Sequence, residues 1–241
     1  MLPITPETLA EQAPKDVLRA AVNYGNPVLA QEGPDGEPRG ASAALAHALA
    51  TELGIAIQMT TYDAAGKVFA ALDHKAWDIA FLAIEPVRAE QIDFSQPYVI
   101  IEGTYLVAAD SPYMDVEDLD KPGLRLAVGK GAAYDLFLSR TLQHAHLERA
   151  ATSVDAFMLF ITDSLDAAAG VRQPLEKVAA GDPRYRVLSG AFTSIRQAMA
   201  VPKGNASAAA YVEDFIARKK AEGFVHAALA ASGQADVTVA P

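Results

Sequence analysis

Apolar runs alternate with segments of helical period along almost the whole chain, which is the pattern of an α/β protein. "VLRAAVNYG" (17–25) reads as a first strand. "QEGPDGEPRG" (31–40) carries turn chemistry in Pro34-Asp35-Gly36 and Pro38. Ser42 is placed to cap a helix in which Leu45, Leu49 and Leu53 recur at four-residue spacing, with Gly54 at its end. "IAIQMTTY" alternates as a strand, and "GKVFAALDHKA" follows as a helix with Val68, Phe69 and Leu72 on one face. "WDIAFLAI" (77–84) is continuously apolar, as in a strand buried on both faces. It ends at Glu85-Pro86, and a charge, Arg88, follows.

After the strand "VIIEGTYLVAA" and a surface connection holding a short helix, the pattern restarts near Leu124. "LRLAVGKG", "LERAAT", "SLDAAAGV" and "RYRVLSG" read as strands. "AAYDLFLSRTLQ", "SVDAFMLFITD" (capped by Ser153) and "QPLEKVAAGD" (Pro174 in its first turn) read as the helices between them. "RQAMAVPKG" is a last strand, and a helix pair broken at Gly223 ends the chain. The restart predicts two similar α/β lobes without a strict sequence repeat. The last strand and helices have no partner set of their own, so they are expected to return to the first lobe. Open α/β sheets bind ligands at the carboxyl ends of strands, and clefts between lobes favour ligands.

Composition trims the functional classes. The 241 residues suffice for a sizeable core, and 51% are hydrophobic. A net charge of −10 argues against a nucleic-acid partner. It does not forbid an anionic small ligand, because fields within a cleft can oppose the net charge. Cysteine is absent, which removes disulfides, thiolate catalysis and cysteine zinc sites. No run reaches the ~20 apolar residues of a membrane span, so no membrane insertion is expected. The first sixteen residues read as a loose, Pro-punctuated arm without a signal peptide. The protein is therefore expected in the periplasm if a signal was removed, or in the cytoplasm if it stays inside.

The order of four words, "GASAALAHALATELG", "WDIAFLAIEPVRAEQIDFSQPY", "LRLAVGKGAAYD" and "AVPKG", resembles the bacterial extracytoplasmic solute-binding proteins of family 3, the polar-amino-acid type. The likeness covers roughly Leu18 to the C-terminal helices. It implies a two-lobed, type II periplasmic-binding-protein fold with a hinge and a discontinuous first lobe (1–106 plus 197–241, with 107–196 as the second). The crossings would fall near Leu106–Asp110 and Thr193–Gln197. It implies capture of a small anionic ligand, an amino acid or a carboxylate, and an ABC transporter permease as partner. A monomer without cofactor or metal is expected.

The resemblance puts Arg88 on the ligand's carboxylate. A guanidinium fork matches a carboxylate and stays charged when desolvated. The alternative is an arginine paired with Glu85 or Asp93 on a solvated turn. Other family positions depart. Phe81 and Ala83 stand where small hydroxyl residues are usual, leaving only backbone groups at Ala83. The Gly-Thr-Thr-like turn of the second lobe is Gly131-Ala132-Ala133, which still opens a helix whose amides suit an anion. The acidic residue of the first strand is Asn23, with Asn26 after it. The aspartate that meets the ligand's amino group is Val171, with Arg172 beside it, while Asp166 matches a structural aspartate. Lys67 is a further candidate for the cleft. The loss of both carboxylates suggests a ligand whose anionic part is read and whose ammonium is absent or weakly read.

Other signals are set aside. "GLRLAVGKGA" has five residues between Gly123 and Gly129 where a phosphate loop has four, and no Ser or Thr after the lysine. His144 and His146 lack a third ligand. "NAS" at 205–207 reads as a helix cap, Trp77 and Phe157/Phe160 as core, and Arg218–Lys220 as a solvated helix face. The enzyme alternative is a cyclohexadienyl dehydratase-like activity on arogenate or prephenate. With Val171 in place of a carboxylate, Glu85 and Glu102 are its remaining general acids.

Overall fold

The computed structural model describes residues 2–241. In chain order the elements are α1 (Pro6–Gln12), β1 (Val17–Asn23), β2 (Gln31–Glu32), β3 (Pro38–Arg39), α2 (Ala41–Leu53), β4 (Ala56–Tyr62), α3 (Ala65–Ala70), β5 (Ile79–Ala83), α4 (Pro86–Ala89) and β6 (Ile92–Ala108). They continue as β7 (Arg125–Gly129), α5 (Ala133–Thr141), β8 (His146–Ala150), α6 (Ser153–Thr162), β9 (Ala167–Val171), α7 (Arg172–Gly181), β10 (Tyr185–Val187), β11 (Thr193–Pro202), α8 (Ala206–Ala221), α9 (Phe224–Ala231) and β12 (Thr238–Val239).

The chain forms two compact units. Unit 1 holds residues up to Ile100 and from Arg196 on, and unit 2 holds Ile101–Ile195. The chain therefore passes between them twice, in β6 and in β11. In unit 1 the strand order is β4-β1-β5-β11. β1 is parallel to β4 and β5, and β11 is antiparallel to β5, with Gln197 opposite Ala83. Unit 2 repeats this plan as β8-β7-β9-β6. Its β7 is parallel to β8 and β9, and β6 is antiparallel to β9, with Gly103 opposite Val171.

Each unit has its own apolar centre. In unit 1, Trp77, Val68, Leu82, Ile92 and Ala200 pack together, and the Trp77 indole N–H donates to the Val68 carbonyl at 2.9 Å. In unit 2, Phe160, Leu106, Leu165, Ala168 and Leu175 do so, with Phe157 and Tyr185 against them. Trp77 and Phe160 are thus core residues, at 1% and 4% exposure. Leu45, Leu49 and Leu53 of α2 are buried, as their spacing predicts.

Several local expectations are corrected. The segment before β1 that reads as a loose arm holds a packed helix instead. Pro6 pre-sets the first turn of α1, and the Thr5 hydroxyl accepts from the Thr8 N–H. Gln12 then donates to the Ala208 carbonyl, and the Glu11 carboxylate accepts from the Ala208 N–H. That carboxylate takes over the capping of α8, where Asn205 makes no side-chain cap. Ser42 lies inside α2 and meets the Tyr98 hydroxyl at 3.1 Å instead of capping. Thr152, not Ser153, caps α6. Arg218 and Lys220 are not a simply solvated face. Arg218 joins Asp214 and Glu52 of α2, and Lys220 donates to the carbonyls of Pro97 and Pro241. Both belong to a charged layer that fastens α8 and the C-terminus, which periodicity alone does not reveal.

Candidate functional site

In each unit the candidate residues fall at the carboxyl ends of the first and third strands, where parallel sheets leave backbone groups unpaired. In unit 1 these ends are Asn23 on β1 and Ala83 on β5. The Asn23 side-chain oxygen accepts from the Gly25 N–H at 2.9 Å, which turns the chain sharply after the strand. Asn26 is 8% exposed. Its Oδ1, and the Tyr24 hydroxyl, are buried and have no hydrogen-bond partner among the described residues.

Phe81 and Ala83 are both 3% exposed. Phe81 meets Tyr98 edge to face, centroids 6.1 Å apart. Ala83 contributes its backbone: its carbonyl accepts from Arg88 Nη1 at 3.0 Å. Pro86 at the start of α4 reverses the chain, so the third residue of that turn lies back over the strand end. Arg88 is 1% exposed, which excludes a solvated turn. Burial pulls its pKa down to about 10 against the opposing pull of Glu85, leaving it charged at neutral pH. Lys67 is exposed, and its Nζ donates to Asp63 at 2.8 Å.

In unit 2 the corresponding ends are Gly129 on β7 and Val171 on β9. Gly131 has φ +72°, a left-handed conformation that favours glycine. Its N–H donates to Asp135 Oδ2 at 2.8 Å, and the Ala132 N–H donates to the Gly129 carbonyl. α5 begins at Ala133. The structure thus adds a support that the motif did not reveal. Asp135 is 3% exposed and receives Arg149 Nε at 2.9 Å. The readable signal was an acid in the first turn of the helix, four residues after Gly131.

Val171 precedes α7, and Arg172 opens it. The Arg172 guanidinium donates to Glu102 and to the Gly190 carbonyl, with Glu176 at 3.5 Å. Glu102, a candidate general acid from the sequence, is therefore engaged by Arg172. Gln173 Oε1 is likewise a buried acceptor with no partner among the described residues, as is Gln12 Oε1 in α1. Asp166 is structural: it accepts from the Arg125 N–H at 2.8 Å. Among the described residues, no group of three or more His, Cys, Asp or Glu could hold a metal ion. His146 is 3.8 Å from Glu148 on the surface.

Residues 18–231 match the bacterial extracellular solute-binding proteins, family 3. The chain belongs to this family. It is a solute-binding protein with the fold of the two-lobed, type II periplasmic binding proteins. It is 26% identical over 219 residues to the L-cystine-binding protein TcyJ of Escherichia coli (strain K12), covering 88% of this chain and 80% of that protein. A solute receptor for L-cysteine of Neisseria gonorrhoeae shares the fold at a TM-score of 0.81 and 23% identity, covering 95% of this chain and 93% of that one. The ancestral amino acid-binding protein AncCDT-1, a precursor of cyclohexadienyl dehydratase, matches at a TM-score of 0.75 and 25% identity, covering 90% and 96%. Among the described residues, no helix is long and apolar enough to cross a membrane.

Proposed function

We propose that this protein captures a small carboxylate-bearing solute, an amino acid in preference to a plain carboxylate, for an ABC transporter. Arg88 carries the reading. Arg88 lies at the carboxyl end of β5 and stays charged while buried, and a planar guanidinium fork matches a ligand carboxylate bidentately. Each such charged hydrogen bond contributes about 1.5–3 kcal/mol. The preference for an amino acid rests on Asn26 Oδ1 and Gln173 Oε1, two buried acceptors that call for donors. A ligand ammonium or side-chain N–H supplies donors; a dicarboxylate does not. The relatives named for L-cystine and L-cysteine support this choice.

In this reading Arg88, Asn23, Asn26, Ala83 and Phe81 serve from the first lobe. The turn Gly131-Ala132-Ala133, with Val171 and Gln173, serves from the second. Ligand binding then shifts a hinged protein toward its closed population. In this reading the protein works as a monomer, and outside the cytoplasm as extracellular solute-binding proteins do. A dehydratase-like activity is the weaker reading, because the relatives named for a function bind L-cystine or L-cysteine and, of its two candidate acids, Glu102 is paired with Arg172. Calorimetry decides with a panel of L-cystine, L-cysteine, L-arginine, their N-acetyl forms and matched carboxylic acids. Tight binding of one amino acid, lost on N-acetylation, is expected. Equal binding of the matched carboxylic acid would overturn the amino-acid reading, and no binding across the panel would overturn capture of this class.

A further inference from the structure

A turn that offers amides to an anion must be held without being blocked. Unit 2 holds the turn after β7 with a carboxylate. The Gly131 N–H, at φ +72°, donates to Asp135 Oδ2 at 2.8 Å. Asp135 lies in the first turn of α5. An acid there complements the helix dipole, and for the same reason it competes with any other anion at that helix end.

The surroundings of Asp135 relieve this competition. Its Oδ1 receives Arg149 Nε at 2.9 Å. Arg149 Nη2 donates to the Ser139 hydroxyl at 2.8 Å, and that hydroxyl donates to the Asp135 carbonyl at 2.6 Å. Both carboxylate oxygens are engaged and the residue is 3% exposed, so Asp135 holds the turn rather than a ligand. The sheet supplies the arginine. Val128 pairs with Arg149 and Gly129 with Ala150, and the Lys130 N–H donates to the Ala150 carbonyl at 2.9 Å. β8 thus carries Arg149 alongside the turn. The strand end is packed closely as well. A Cβ on Gly129 would lie 2.9 Å from the Tyr134 hydroxyl, which meets that of Ser153 at 2.8 Å.

We propose that Asp135 and Arg149 are positioning residues for the turn of unit 2: Asp135 fixes the Gly131 amide, and Arg149 cancels the charge of Asp135 so that the start of α5 still attracts a ligand's anionic group. The ligand half of this inference rests on the capture of a carboxylate-bearing solute. A buried carboxylate needs a partner, and here the partner also sets the field at the helix end. The Arg149 side chain is 41% exposed, so removing its charge leaves the fold little changed while exposing the site to the charge of Asp135.

Two measurements on the full chain test this. The first needs no ligand: hydrogen exchange of the Gly131 amide, followed by nuclear magnetic resonance. Asp135→Ala is expected to speed that exchange by about tenfold or more, because the amide loses its acceptor. Asp135→Asn keeps a neutral acceptor and is expected to give a smaller gain, and it serves should the alanine variant fail to fold. Unchanged exchange in these variants would overturn the positioning role whatever binds. The second is calorimetry with whichever of L-cystine, L-cysteine and L-arginine binds the parent most tightly. Arg149→Gln is expected to weaken binding by about tenfold, the effect of one uncompensated charge near the anion. In a chain that already carries Asp135→Asn, the same substitution is expected to change affinity by less than about twofold. Equal losses in the two backgrounds would overturn the charge balance. Failure of the parent to bind any of the three would overturn the capture reading instead, and the exchange result would still decide whether Asp135 holds the turn.

Discussion

In unit 1 the Asp78 carboxylate accepts from the Arg19 N–H at 2.9 Å, while the Asp78 N–H returns a bond to the Arg19 carbonyl. In unit 2 Asp166 and Arg125 make the same reciprocal pair, at 2.8 and 3.0 Å. Each aspartate follows a helix end closed by a non-glycine residue of positive φ, Lys75 or Ser164. Each leads into the third strand of its sheet, β5 or β9, and an arginine comes after each strand, Arg88 five residues beyond β5 and Arg172 directly after β9. From there the units diverge. Arg88 is folded back onto its own strand end and fully buried, whereas Arg172 remains partly exposed and is held by carboxylates and a carbonyl. An arginine that follows the corresponding strand thus meets different surroundings in the two units. What a side chain can do for a ligand depends on burial and on the partners it already has, more than on its place in the motif.

The sharpest way to break this contrast is to remove each arginine. Arg88→Met keeps the volume and loses the fork, and should weaken binding of the tightest amino acid in the panel by about 3–6 kcal/mol, two charged hydrogen bonds. Arg172→Ala should leave most of that affinity. Calorimetry that finds the two losses equal would make the arginines true counterparts.

The repeated aspartates come next. Asp78 is buried, and its carboxylate takes the Arg19 N–H, Nε and Nη2 together, a partnership that raises the Arg19 pKa. Asp78→Ala should cost about 3 kcal/mol in urea denaturation, because it strands a partly buried charge. Asp166→Ala removes the shorter list of bonds and should cost about 1 kcal/mol. Equal losses would mean that the two units depend on this device alike.

The smallest effect lies in the surface connection of unit 2. Asp118 accepts from the Met114 and Asp115 N–H groups and from Lys121, and the Met114 bond above all pulls its pKa down to about 2. A carboxylate whose folded pKa is depressed adds stability above its ordinary pKa and loses it as pH falls through the folded value. Asp118→Asn should therefore lower Tm near neutral pH, and the difference should close between about pH 3.8 and about pH 2. A difference that persists at pH 2 would assign the effect to lost hydrogen bonds rather than to charge.

Much of the architecture was readable in advance, because strand and helix periods and Gly and Pro punctuation are local signals. The run 77–84 announces β5, Glu85-Pro86 announces the turn that returns Arg88, and the restart near Leu124 announces a second sheet. The helix caps were less legible. Ser42, Ser153 and Asn205 have the right chemistry next to the right boundaries, but Ser42 and Ser153 find hydroxyl partners, and Glu11 caps α8 from about 200 residues away. The site was legible as a set of strand ends and illegible as a set of contacts. An acid four residues after Gly131 hints at the Gly131 amide's partner, but no local pattern shows that Tyr24, Asn26 and Gln173 bury polar atoms without partners among the described residues.

The sequence by itself determined the family, the alternation of elements and the positions that end each strand, since these follow from hydrophobic period and backbone conformation among near neighbours. Tertiary structure alone decided which charges are buried, which are spent and which segments share a partner. Those outcomes depend on groups far apart in the chain. Arg172 shows it most plainly: the family resemblance makes it a candidate ligand contact beside Val171, and only the sheet brings residues 102 and 190 to its fork.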